Sequence, residues 1–224
     1  MRRLALFARA PDAGRVKTRL VPALPERSAA ALYAGLLADS FAAVNECVAH
    51  ERCVYWADTH APAPASITSR AQTGMDLGER LAAAFDELLA DGASALIVGS
   101  DAPSLAASHL AEALAALDRN DAVLGPTLDG GYWCVGLGQP APELFRDIPW
   151  STSRVLEVTL ARAKVANLRV ATVSTLDDID TPADLARLVG RLAAGEPACG
   201  RHTRAALHAL GLVPAGREEP RVTA

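Results

Sequence analysis

Three cations alternate in one short segment of the chain. The run Arg9–Leu20 reads RAPDAGRVKTRL, and Arg15, Lys17 and Arg19 stand at every second position. An extended backbone would send all three to one side, because strand side chains repeat every two residues. Such a trio suits a di- or triphosphate, and Gly14 would let backbone N–H groups come close to the anion. The alternative is a solvated basic loop. The spacing is not a P-loop, and no G-x-G-x-x-G follows the first apolar run.

Four further segments carry groups able to do chemistry. The run ALIVG (95–99) delivers Asp101 in SDAPS, where a carboxylate could join substrate phosphates around Mg²⁺ or act as a turn or capping residue. Pro103 and Ser104 read as helix-start residues. In GPTLDGGYW (125–133), Asp129 could bind hydroxyls while Gly130 and Gly131 allow close contact, although D-G is also the ordinary hairpin turn. In LDDIDTPADL (176–185), Asp177, Asp178 and Asp180 repel one another, which a cation would relieve. The same acids could instead stabilise a helix start capped by Thr181. In QTGMDLGER (72–80), Gln72 could read a base edge and Arg80 could reach phosphate, or both could be structural. Asp178-x-Asp180-x superficially fits the D-x-D-x-T of phosphatases, but that chemistry needs the motif on the first strand. No G-x-S-x-G occurs, which argues against a serine hydrolase.

The elements that must position these groups alternate between strand and helix. Strands are expected at 4–8, 53–57, 95–99, 122–125, 132–136 and 169–173. Helices are expected at 28–48, 77–91, 106–117, 154–166, 182–194 and 201–210. The two short runs around Asp129 predict a hairpin, so the sheet should be mixed. This pattern belongs to an α/β sheet with helices on both faces, whose ligands bind beyond the carboxyl ends of the strands.

Length and composition narrow the field. The 224 residues are half hydrophobic and only 4% aromatic, so Ala, Leu and Val must build the core. One domain over 1–212 is expected, with 213–224 as a frayed tail. Twenty-two basic against 26 acidic residues give a net charge of −4, which argues against nonspecific nucleic-acid binding. No apolar run approaches the ~18 residues of a membrane span, and the five after Arg3 are too few for a signal peptide. A cytoplasmic protein is the expectation. The four cysteines (Cys47, Cys53, Cys134, Cys199) form no C-x-x-C pair, and Cys134 reads as a small core residue. The five histidines show no metal-ligand spacing.

Taken in order, APDAGRVKTRL, QTGMDLGERL, GSDAPSL, GPTLDGGYWCVGL, PWST and DIDTPADL run from about Ala10 to Leu185. Together they resemble a bacterial family of GT-A-type glycosyltransferases, formerly classed as DUF2064, some of whose members are assigned to arsenosugar biosynthesis. That family is similar to the molybdenum-cofactor nucleotidyltransferases and to phospholactate guanylyltransferase.

The resemblance implies the nucleotide-diphospho-sugar transferase fold, a three-layer α/β/α sandwich with a mixed central sheet. It also implies a nucleotide and phosphate site at Ala10, Pro11, Gly14, Arg15, Lys17, Arg19, Gln72, Gly74 and Arg80. Mg²⁺ or Mn²⁺ would sit on Asp101 and Asp180, and the second substrate at Gly130, Gly131 and Trp150. Asp129 and Lys17 would act in catalysis. The implied reaction is sugar transfer from a nucleotide diphosphate donor to a small acceptor. Alternatives are nucleotidyl transfer from an NTP with release of pyrophosphate, or a nucleotide-binding module without turnover.

Overall fold

The computed structural model describes residues 1–58 and 61–214. A seven-stranded sheet is formed by β1 (Arg2–Ala8), β2 (Glu51–Trp56), β3 (Thr68–Ala71), β4 (Ser94–Gly99), β5 (Ala122–Pro126), β6 (Tyr132–Leu137) and β7 (Val170–Thr172), in the order β3-β2-β1-β4-β6-β5-β7. All neighbouring pairs are parallel except β6, which runs antiparallel to both β4 and β5. The expected mixed sheet and the β5–β6 hairpin are therefore present.

Among the described residues six α-helices cover the sheet: α1 (Glu26–Glu46), α2 (Leu77–Leu88), α3 (Ala107–Leu117), α4 (Val155–Val165), α5 (Pro182–Ala193) and α6 (Arg201–Ala209). Strand alternation divides the core in two. Leu4, Leu6, Leu96 and Val98 pack on one face with α1, α3, α5 and α6. Ala5, Phe7, Ala95 and Ile97 pack on the other with α2 and α4. These runs are apolar throughout because both faces are covered. Cys134 is buried within the first cluster, as a small core residue should be.

Three details depart from the sequence reading. Edge strand β3 was not expected; its TSRA is polar and mostly exposed, so no apolar alternation marks it. Pro103 and Ser104 do not start α3, which begins at Ala107 after a separate turn closed by the Leu105 amide on the Ala102 carbonyl. Val213, placed in the frayed tail, is buried at 7% exposure, and the Leu212 amide bonds the Leu207 carbonyl. Of that tail, residues 215–224 lie outside the described residues.

Helix α6 is tied to the first helix through one buried acid. Asp39, on α1, accepts the His202 and Thr203 amides at 3.0 and 2.8 Å. These are orphan donors of the first turn of α6.

Strand order also fixes where a ligand can enter. From β1 the chain moves outward to β2 and β3, then returns to the opposite side of β1 as β4. Phe7 is level with Gly99 in the register. The loops leaving β1 and β4 therefore diverge at the carboxyl edge, and a crevice opens there, as at other switch points of α/β sheets.

Candidate active site

The loop after β1 is folded rather than extended, which corrects the expected alternation. The Arg15 amide closes a turn on the Asp12 carbonyl, Gly14 has φ 77°, and Lys17 has φ 49° before the 3₁₀ turn Thr18–Leu20. Left-handed backbone costs a non-glycine residue about 1–2 kcal/mol, so Lys17 needs strong partners to hold it there. It has them. Its ammonium, on a side chain only 4% exposed, pairs with Asp101 and, at 2.8 Å, with Asp180. Burial alone would lower the Lys17 pKa, but the two carboxylates outweigh it and hold the ammonium well above its usual range.

Tyr33 of α1 supports this arrangement from below. Its hydroxyl lies 2.8 Å from Ser100 Oγ and accepts the Arg9 amide at 3.0 Å, while the Lys17 ammonium sits 5.9 Å from its ring centre. Tyr33 thus joins the β1 loop to the β4 loop. It carries no sequence signal beyond its place in the apolar stripe of α1.

Despite the folded loop, Arg15, Lys17 and Arg19 all line one crevice of about 720 Å³, together with Gln72, Arg80, Asp101 and Asp180. That is the size of a ligand pocket. Ala10, Pro11 and Gly14 belong to the loop that carries the cations there. Gln72 donates to the Tyr55 carbonyl at 2.9 Å, which fixes its amide against the sheet edge. Asp76 caps α2 through the Glu79 amide. Arg80, one turn on, donates Nε to the Gly74 carbonyl at 3.1 Å. A Cβ on Gly74 would come within 2.7 Å of the Arg80 nitrogen, so only glycine lets the loop lie this close.

The acidic segment 177–180 divides its charges. Asp177 pairs with Arg191 of α5. Asp180 takes Lys17. Thr181 and Asp184 form the capping box of α5, directly after Asp180. The Ile179 amide bonds the Asp101 carbonyl at 3.2 Å, laying this segment across the end of β4. Burial, then the neighbouring Asp129 and Asp180 carboxylates, push the Asp178 carboxyl up to about 6. Sequence reading had placed Asp178 in the cluster but not in the site.

Asp178 lines a second, smaller cavity of about 240 Å³, with Asp101, Asp129, Asp180, Thr127, Gly131, Tyr132, Trp133 and Trp150. The expected DGG turn forms its rim. Asp129 Oδ1 accepts from Thr127 Oγ1 at 2.5 Å and from the Gly131 amide at 2.9 Å. Gly130, at φ 90°, packs so closely on 151–155 that a Cβ would lie 2.1 Å from the Ser153 carbonyl oxygen. The two cavities share Asp101 and Asp180.

Asp101 and Asp180 already hold one cation between them, the Lys17 ammonium. Two carboxylates completed by phosphate oxygens and water are a normal donor set for Mg²⁺, so the residues fit that ion. No group of three or more His, Cys, Asp or Glu arranged to hold a metal is found among the described residues. No helix among the described residues is long and apolar enough to cross a membrane.

The fold is that of the nucleotide-diphospho-sugar transferases. A proposed transferase of this kind from Desulfovibrio desulfuricans G20 superposes with a TM-score of 0.84 at 28% identity, over 94% of this chain and 96% of that one. CMP:2-keto-3-deoxy-manno-octonic acid synthetase, in complex with CTP, gives 0.53 at 11% identity over 87% and 99%. The 4-diphosphocytidyl-2C-methyl-D-erythritol synthase of Anaerococcus prevotii gives 0.53 at 10% over 86% and 98%; both of these share the fold alone. Residues 37–152 match the family described as uncharacterized proteins conserved in bacteria, DUF2064, and the chain belongs to that family. No curated protein matches the sequence.

Proposed function

We propose that the protein transfers a sugar from a nucleotide diphosphate donor to a small acceptor. One observation carries this reading: a crevice lined by Arg15, Lys17, Arg19 and Arg80 and a cavity lined by Asp129 and Asp178 meet at Asp101 and Asp180. The first suits a diphosphate and the second a hydroxyl-bearing partner. The 28% identical structure, assigned to the nucleotide-diphospho-sugar transferases, supports it.

In this mechanism Arg15, Arg19 and Arg80 receive the donor's phosphates, and Gln72 lies where the base would end. Lys17 stands at the meeting point with fixed positive charge for the leaving diphosphate. Asp101 and Asp180 would hold Mg²⁺ or Mn²⁺, whose bound charge would stabilise the same leaving group. Asp129 keeps Oδ2 for the acceptor, orienting its hydroxyl and taking the proton. The bond from sugar C1 to the diphosphate breaks, a bond from C1 to the acceptor oxygen forms, and nucleoside diphosphate departs.

Incubation with Mg²⁺ or Mn²⁺ and separate panels of nucleotide sugars and NTPs tests this. Nucleoside diphosphate appearing only with an acceptor is the expected product. Pyrophosphate release from an NTP would replace sugar transfer with nucleotidyl transfer. Ligand-induced thermal stabilisation without turnover would leave only a binding module.

A further inference from the structure

The smaller cavity restricts what can enter it. Four carboxylates line it, those of Asp101, Asp129, Asp178 and Asp180, and among the described residues no Lys, Arg or His does. The Lys17 ammonium, which lines the crevice, is engaged by Asp101 and Asp180. An anionic group placed beside Asp129 and Asp178, the two acids of the lining not paired with Lys17, would lose water and meet like charge. The lining also carries aromatic surface: Tyr132 and Trp150 meet edge to face, with ring centres 6.4 Å apart. Trp133 spends its indole N–H on the Ser174 carbonyl at 2.9 Å, so it too offers hydrocarbon. Thr127, Ser151 and Thr152 also belong to the lining. At about 240 Å³ the space is below that of drug-sized ligands.

Resting on the sugar-transfer reading, we propose that this cavity takes an uncharged, hydroxyl-rich molecule of about monosaccharide size as acceptor, and rejects phosphorylated ones. Carboxylates accept several hydroxyl protons at once, and an aromatic wall covers the C–H face of a sugar or polyol. The same composition is unsuited to an acceptor that must present a phosphate here.

Tryptophan emission reports on binding without turnover, since two of the three tryptophans line this cavity and Trp56 is buried in the core. The probes are matched pairs: glycerol and glycerol 3-phosphate, glucose and glucose 6-phosphate, inositol and inositol 1-phosphate. At least one neutral member should change the emission and bind tenfold or more tightly than its phosphorylated partner, and Trp150→Phe should remove most of the change. Asp129→Asn combined with Asp178→Asn should cut the discrimination to within about threefold. An Arg15→Ala, Arg19→Ala variant separates the two sites: phosphate-dependent binding lost in it belongs to the crevice. Phosphorylated members binding more tightly in that variant, or no neutral member perturbing the emission, would overturn the proposal. Failure of nucleotide binding with neutral polyols still bound would instead remove the sugar-transfer reading and leave the cavity's ligand class standing.

Discussion

Lys17 donates to Asp180 at 2.8 Å across 163 positions of the chain, and the same ammonium pairs with Asp101. The loop after β1, the end of β4 and the start of α5 are thereby drawn to one point. Lys17→Met would leave two carboxylates facing each other. Both are nearly half exposed, so the cost should be about 1–2 kcal/mol, less than for a fully buried pair. On the proposed reading two titrations then move in opposite directions. Nucleoside diphosphate affinity falls tenfold or more, while Mn²⁺ without nucleotide binds more tightly because its competitor is gone. Mn²⁺ affinity unchanged in calorimetry would separate Lys17 from the cation position.

Asp101→Ala should abolish metal-dependent nucleotide binding while the far-ultraviolet circular dichroism stays that of the wild type. Asp101 is on the protein's rim and half exposed, so the sheet does not depend on it. An unaltered nucleotide titration would take Asp101 out of the site.

Asp178 sets a pH dependence of stability. Its folded-state pKa, about 6, lies above the unfolded value near 4. The contribution is therefore complete below about pH 4 and is lost as pH rises through 6. In metal-free buffer Asp178→Asn should remove that slope and stabilise the protein by about 1–2 kcal/mol at pH 8. Denaturant unfolding at pH 5 and pH 8 reads both effects.

The two glycines of the turn should respond differently. Gly130→Ala must move the Ser153 backbone and enter a left-handed conformation, at a cost of about 2–3 kcal/mol. A Cβ on Gly131 would meet only the Thr127 and Asp129 side chains, at 3.1 and 3.2 Å, so Gly131→Ala should cost about 1 kcal/mol or less. Equal melting temperatures for the two variants would contradict the packing described.

Asp39→Ala strips two amides of α6 of their buried acceptor and should destabilise by about 2–3 kcal/mol. Hydrogen exchange should quicken first at His202 and Thr203.

Much of this was legible in the chain. The strands ALIVG and LALFA declare themselves as doubly covered, and the placement of Asp101 and the DGG turn after strands follows from local patterning. What local patterning cannot supply is pairing across distance. The basic triad looks like an alternating strand, yet Gly14 and the left-handed Lys17 curl it, and its central cation is claimed by acids 84 and 163 positions away. Likewise the DDID run shows a charge cluster without showing that Arg191 absorbs Asp177 while Asp178 faces the cavity. Strand β3 escapes notice because hydrogen bonding to β2, not side-chain burial, makes it a strand.

The reach of the Lys17 bridge bears on how the protein is born. A ribosome that has delivered the basic loop, and even all of β4, has not yet made the residue that clamps the far side of Lys17. On the proposed reading the site therefore cannot mature on the nascent chain until the segment before α5 has emerged, and truncated translation products should bind no nucleotide even where their sheet has begun to assemble.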